Sequence, residues 1–380
     1  MKIRGLKTVL LTLLIGSSSL MGCSFGSSDD DGIEETDPDF EIDGEDGEDD
    51  EDVEIEPVPV IGPLGPGAST LTGFEQSGNL DGTRDVAMFD NPVNVLTLAD
   101  GTILVCDFNN NSVRRIGATG DVSTFIPPGH FIRPFGIVQI PDGTIYIQSD
   151  RSVNNTQSGS IWRVTLDNPI PQLVRDESGR VRGMARMSDG RLVVVDYLRH
   201  HIRLFDPVTN EFTPLAGAID QPAFADGNGA NARFNTPYDV VVDENDIIYV
   251  ADLNNNRIRR IENGVVSTVA GDGVPQSVDG TQTSARFAEP KAMALDSNGN
   301  LYITDTLTGT IRRMNLQTGA VVTVAGTGER GFLDAENPLE AQFFGIEGID
   351  LSPNEDFLYI ADGNGGDNFD FHRVRRLTLQ

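Results

Sequence analysis

Ala232-Arg233-Phe234-Asn235-Thr236-Pro237 opens a stretch that continues through Ile248-Tyr249-Val250-Ala251-Asp252, Ile258-Arg259-Arg260 and Val266-Ser267-Thr268-Val269-Ala270-Gly271. Short runs rich in β-branched residues, parted by Gly, Asn and Asp turns and showing no helical period, read as four β-strands. The stretch then repeats. Its head returns as Ala87-Met88-Phe89-Asp90-Asn91-Pro92 and Ala285-Arg286-Phe287-Ala288-Glu289-Pro290, and its second run as Ile103-Leu104-Val105-Cys106-Asp107 and Leu301-Tyr302-Ile303-Thr304-Asp305. Its third run returns as Val113-Arg114-Arg115, Ile311-Arg312-Arg313 and Val374-Arg375-Arg376. An aspartate closes each second run, at Asp107, Asp150, Asp196, Asp252, Asp305 and Asp362, with spacings of 43, 46, 56, 53 and 57 residues. Four strands per unit of that length, repeated six times, describe the blades of a β-propeller.

The two ends of the body fit together. The last unit stops after its third run, while Ser69-Thr70-Leu71-Thr72-Gly73, followed by Leu80-Asp81-Gly82-Thr83, matches 267–271 followed by Val278-Asp279-Gly280-Thr281. Residues 68–73 are therefore expected to supply the missing fourth strand, closing the ring without a free edge. The expectation is one all-β, six-bladed propeller over 67–380. Its units resemble NHL repeats, with a proline-led first strand, an apolar-Tyr-Val-Ala-Asp strand and then Asn-x-Arg-Ile-Arg. The resemblance runs through 67–380 and is strongest in the units ending at Asp107, Asp252 and Asp305.

The net charge of −30 divides unevenly. Residues 1–22 carry +3, 29–56 hold 18 acidic side chains and no base, and 57–380 carry −15. A short basic region precedes the apolar run 8–15, which is too short to span a bilayer. Leu20-Met21-Gly22-Cys23 follows. This resembles a bacterial lipoprotein signal, which implies cleavage after residue 22, lipidation of Cys23 and a bilayer as partner; Ser24 beside it implies the outer membrane. Residues 23–66 read as a lipidated cysteine and an acidic, proline-rich, disordered tether. A negative body exported from the cytoplasm excludes nucleic acid as partner. A monomer is expected.

Because strand direction alternates, the fourth-to-first and second-to-third loops share one face and the tight turns share the other. The first face carries the long loops 221–234, 272–287, 326–343 and 363–371, where function is expected. Residues just past each repeat proline should ring the channel mouth, where Asn94, Arg182, Tyr238, Asp239, Lys291 and Glu347 form a polar candidate ligand site. Lys291 is the one lysine after the signal.

Other chemistry is sparser. Asp362, Asn364, Asp367 and Asp370 are a candidate cation loop. Glu347, Asn94 and Asp239 resemble the calcium set of gluconolactonase-type six-bladed enzymes, which would imply Ca2+. The four histidines do not converge, since His200 and His372 occupy equivalent slots on opposite sides of the ring. Cys106 aligns with Ala251, Thr304 and Ala361 and reads as a small buried residue. No Gly-x-Ser-x-Gly or nucleotide fingerprint is present. Two functions follow: an anchored binding or scaffold propeller that takes a glycan, peptide or protein on its long-loop face, and a metal-dependent lyase or lactonase-like hydrolase working at the channel mouth.

Overall fold

The computed structural model describes residues 64–365 and 371–379. They belong to one compact unit, Glu56–Gln380. The other unit, Met1–Ile55, lies outside the described residues, and with it Cys23 and the acidic run.

Six antiparallel sheets follow one another along the chain. Blade one is Pro92–Thr97, Ile103–Asp107, Ser112–Ile116 and Val122–Ile126. Blade two is Pro134–Gln139, Ile145–Ser149, Ser160–Val164 and Gln172–Asp176. Blade three is Val181–Arg186, Leu192–Asp196, His201–Asp206 and Glu211–Ala216. Blade four starts at Pro237–Val242 and blade five at Pro290–Leu295. Blade six is Gly345–Leu351, Phe357–Gly363 and His372–Thr378, completed by Ala68–Phe74 from the other end of the body. Every residue of Ala68–Phe74 is buried, so the closing strand is core. The second strands are almost wholly buried, Leu192–Asp196 throughout, because both faces of each sheet pack on neighbouring blades.

The long loops have a structural task that the repeat pattern did not reveal. Among the described residues, 221–234, 272–287 and 326–343, with the loop 75–91 that leads into blade one, run along the outer edge of the next blade and pair there. Gly227–Asn228 pairs with Val265 and Val266, and Gly280–Thr281 with Ala320 and Val321. Gly82 and Ala335 bridge Val122 and Ala68 in the same way. Each loop also brings a carboxylate to a buried arginine. Arg259, fully buried, donates to Asp252 Oδ2 at 2.6 Å, to Asp226 Oδ1 at 2.6 Å and to the carbonyls of Arg233 and Ala225. Arg114 joins Asp107 and Asp81, Arg312 joins Asp305 and Asp279, and Arg375 joins Asp362 and Asp334. The first arginine of each Arg-Arg pair is thus a clamp between second strand, third strand and edge loop. The carboxylates complete it because a buried guanidinium must have its donors met.

Blade two lacks this clamp, blade three keeps only its inner half, Arg203 with Asp196 at 3.1 Å, and both protect their edges with proline. Pro214 stands opposite Arg203, at the register position where Thr124 lies opposite Arg114 in blade one. The N–H of Thr124 takes Asp81, whereas Pro214 has none to offer another strand. In blade two, Trp162 occupies the clamp arginine's register position and Pro171 leads into the outer strand.

Blade two also corrects the repeat alignment. Pro134 pairs with Ser149, as Pro92 pairs with Asp107, so Ser149 is the equivalent of the repeat aspartate and Asp150 lies one residue beyond. A one-residue slip sends a side chain to the other side of the chain. Asp150 accordingly serves the channel mouth and not its own third strand.

Seams between blades are latched by residues before the repeat prolines, held in left-handed conformations (φ 57° at Asn91, 60° at Arg133, 53° at Thr236, 63° at Glu289). Arg133 and Glu289 donate their N–H to the Oδ1 of Asn111 and Asn256; Asn91 and Thr236 donate theirs to the Nδ1 of His372 and His200. An imidazole accepts through Nδ1 only when that nitrogen carries no proton. Burial lowers the pKa of His200, so its contribution is present above about pH 6.5 and is lost as the pH falls below that. The variant His200→Asn, which copies the latches at Asn111 and Asn256, is expected to lose less Tm than the natural protein between pH 7.5 and pH 5.

Candidate functional site

The mouth of the channel on the long-loop side is built from the starts of the inner strands and the ends of the second strands. Arg182 is buried there, held by Asp150 through both carboxylate oxygens at 2.8 and 3.0 Å. Its guanidinium lies 3.9 Å from the Phe135 ring centroid and 4.9 Å from that of Tyr197, with Phe108 and Tyr238 within about 6 Å. Beside it Lys291 Nζ donates to Glu347 Oε1 at 2.9 Å and sits 4.9 Å from the Tyr238 ring centroid. Burial raises the Tyr238 phenol well above its usual range, so it is a neutral hydroxyl at physiological pH. Four of the six expected mouth residues therefore come together, and they come together as a plug. Each charge has its counter-charge, and Lys291 and Glu347 are 12% and 9% exposed. Asp150, the slipped repeat aspartate, is the partner that sequence reasoning assigned elsewhere.

The remaining two, Asn94 and Asp239, lie deeper, on the axis. Small residues make room for them: a Cβ at Gly183 would meet Asp239 Oδ1 at 2.5 Å, and one at Gly348 would meet Asn94 Oδ1 at 2.6 Å. Asp239 accepts the N–H of Val240 on Oδ1 and of Met293, in blade five, on Oδ2. Both line a cavity of about 420 Å3 bounded by the later halves of the six inner strands, which run toward the tight-turn face. Three further residues in it were missed. Asp350 accepts the N–H of Leu351 and, across the blade seam, of Thr97. Gln139 and Arg186 complete the polar lining. Asp350 was detectable in principle: its register counterparts opposite the second strands are Leu96, Val241 and Ala294, all apolar.

Burial is the main cause that pushes Asp239 up to about pKa 7 and Asp350 to about 6, and the charge of Asp350 adds to the rise at Asp239. A carboxyl whose folded pKa is raised favours the native state while protonated. Its stabilisation is present below the unfolded value near 4 and is lost as pH rises toward 7. Asp239→Asn is therefore expected to flatten the decline in stability between pH 4 and pH 7, by up to about 4 kcal/mol, read from denaturant midpoints across that range.

The calcium set implied by resemblance does not fit this arrangement. Glu347 is neutralised by Lys291, Asn94 turns its Oδ1 to the N–H of Val95, and Asp239 uses both oxygens on backbone N–H groups. Among the described residues no group of three or more His, Cys, Asp or Glu side chains is placed to hold a metal ion. Of the candidate cation loop, Asp362 is buried with Oδ1 on the N–H of Phe344 and Gly345 and Oδ2 on Arg375. Asn364 takes Asn91 Oδ1 through its N–H, while Asp367 and Asp370 lie outside the described residues. Cys106 is fully buried, and burial drives its thiol upward, away from thiolate chemistry.

Comparison with known proteins rests on the same repeat. The NHL repeat family profile matches residues 234–261, the stretch from the head of the fourth unit to its clamp arginine. The chain is a six-bladed propeller that carries an NHL repeat. It is 24% identical to the bovine (Bos taurus) NHL repeat-containing protein 2 over 327 residues, covering 81% of this chain and 42% of that protein. The chain thus spans less than half the length of the curated relatives it matches. Two solved structures share the propeller fold. An auxiliary nutrient binding protein from Bacteroides ovatus superposes with a TM-score of 0.66 at 19% identity, over 83% of this chain and 76% of that one. A second, from Bacteroides thetaiotaomicron, gives 0.63 at 19% identity, over 82% and 75%.

Proposed function

We propose that this NHL propeller is an extracytoplasmic binding protein, anchored in the cell envelope through lipidated Cys23, on the outer membrane, with the acidic 24–66 segment as spacer. It takes a glycan, peptide or protein ligand. The observation that carries the binding reading is the axial cavity, where Asn94, Asp239 and Asp350 meet Gln139 and Arg186 with polar valences left over. The likeness to nutrient binding propellers is in accord with it. The expected site on the long-loop face moves accordingly: that face spends its loops on blade edges and its mouth charges on one another.

Two experiments test this. Fatty-acid labelling and membrane fractionation should find the natural protein lipidated and sedimenting with membranes, and Cys23→Ser unlabelled and released; a Cys23→Ser protein that stays on membranes sinks the anchor. Metal analysis of the purified chain addresses the hydrolase or lyase alternative. A stoichiometric divalent cation, lost in both Glu347→Ala and Asp239→Ala, would overturn the binding reading in favour of metal-dependent catalysis.

A further inference from the structure

We infer that the axial cavity is a site for a small neutral polyhydroxyl molecule, of monosaccharide to disaccharide size. This rests on the binding reading and gives it a ligand class. Acceptors and donors both line the ring. Blades four and six contribute the carboxylates of Asp239 and Asp350, blade three the guanidinium of Arg186, and blades one and two the amides of Asn94 and Gln139.

Four of these groups are positioned by hydrogen bonds, Arg186 stands exposed, and each keeps capacity to spare. Asp239 and Asp350 accept one backbone N–H on each oxygen, so every oxygen retains a lone pair and the carboxylates are held in place. Asn94 uses its Oδ1 on Val95, leaving two amide donors. Gln139 spends Nε2 on the carbonyl of Gly143, leaving Oε1. Among the described residues Arg186 makes no ion pair. Four oriented side chains and one exposed guanidinium, all with unused valences and converging on a concavity of about 420 Å3, are what a polar ligand site requires.

The mixture selects the ligand. A hydroxyl donates and accepts, so neighbouring hydroxyls on a compact ring satisfy a carboxylate and a guanidinium together. A bare cation meets two carboxylates but also Arg186, and a bare anion meets Arg186 but also both carboxylates. The upward shifts at Asp239 and Asp350 fit the same picture, since they mark charge that burial leaves under-stabilised and that a donating hydroxyl would stabilise.

The test is calorimetric titration of the full chain in detergent with glucose, galactose, maltose and cellobiose, beside arginine, putrescine and citrate. At least one sugar is expected to bind, and Asp350→Asn and Arg186→Ala are each expected to weaken it about tenfold or more. Arg186 is exposed, so its variant keeps the test decisive should Asp350→Asn fold poorly. Binding confined to arginine, putrescine or citrate, and lost in the same variants, overturns the polyol class while leaving the cavity as a binding site. Sugar binding that survives both variants, or no binding by any titrant, overturns the cavity reading itself.

Discussion

Arg259→Met is expected to destabilise the propeller by about 3–5 kcal/mol, seen as a lower denaturant midpoint with an unchanged slope. Arg259 and Asp252 are both fully buried, and the pair is 2.6 Å apart. Removing the guanidinium leaves Asp252 without its counter-charge, and takes one of two donors from each of the carbonyls of Arg233 and Ala225. Asp252 also accepts from the N–H of Asn235 and the amide of Asn255, which hold it ionised although burial pushes its pKa up to about 6. The outer member of the clamp should matter less. Asp226 is 45% exposed, and water can replace much of what it gives Arg259, so Asp226→Ala is expected to cost about 1 kcal/mol. An Arg259→Met protein as stable as the parent would show that the methionine packs well enough to offset the lost pair, as happens when a buried ion pair is replaced whole.

Deleting Ala68–Phe74 is expected to have the largest effect of any change, converting a closed ring into an open chain that associates. That segment carries the fourth strand of blade six, pairing with His372–Thr378 from Ala68 opposite Leu377 to Phe74 opposite His372. Without it the third strand presents an unpaired edge, and the buried side chains of Leu71 and Phe74 leave the core. Losing one such side chain typically costs about 2–5 kcal/mol, and an exposed edge invites pairing with another copy. Size-exclusion chromatography with light scattering should show oligomers or aggregate for the deletion and a monomer for the natural chain. A monomeric, cooperatively folded deletion protein would contradict the closure.

Repetition made the ring readable. Six units in register, each with the aspartate or its neighbour and most with the Ile/Val-Arg-Arg run, outweighed the weakness of any single copy, and the match between 69–73 and 267–271 gave the closure its partner strand. The same repetition hid the departures from it. Asp150 looked like its five counterparts because spacing tolerates a residue either way, whereas strand pairing does not. Long loops looked available for binding because length says nothing about where a loop is laid, and here the Asp-Gly turns at 81–82, 226–227 and 279–280 lie against outer strands.

The candidate site divides on the same line. Proline-proximal residues were correctly brought to the axis, because strand order and direction follow from the repeat alone. Their charge state was not legible. Arg182 and Lys291 find Asp150 and Glu347 in other blades, with 32 and 56 residues between partners, and nothing local in sequence encodes such a pairing. The cavity behind that plug was invisible for the same reason: it is enclosed by one strand from each of six units, and only closing the ring sets them facing one another. Periodicity and spacing act along the chain, so they specified strands, blades and closure. Burial, counter-charge and free valence are properties of neighbours in space, and those the folded ring alone decided.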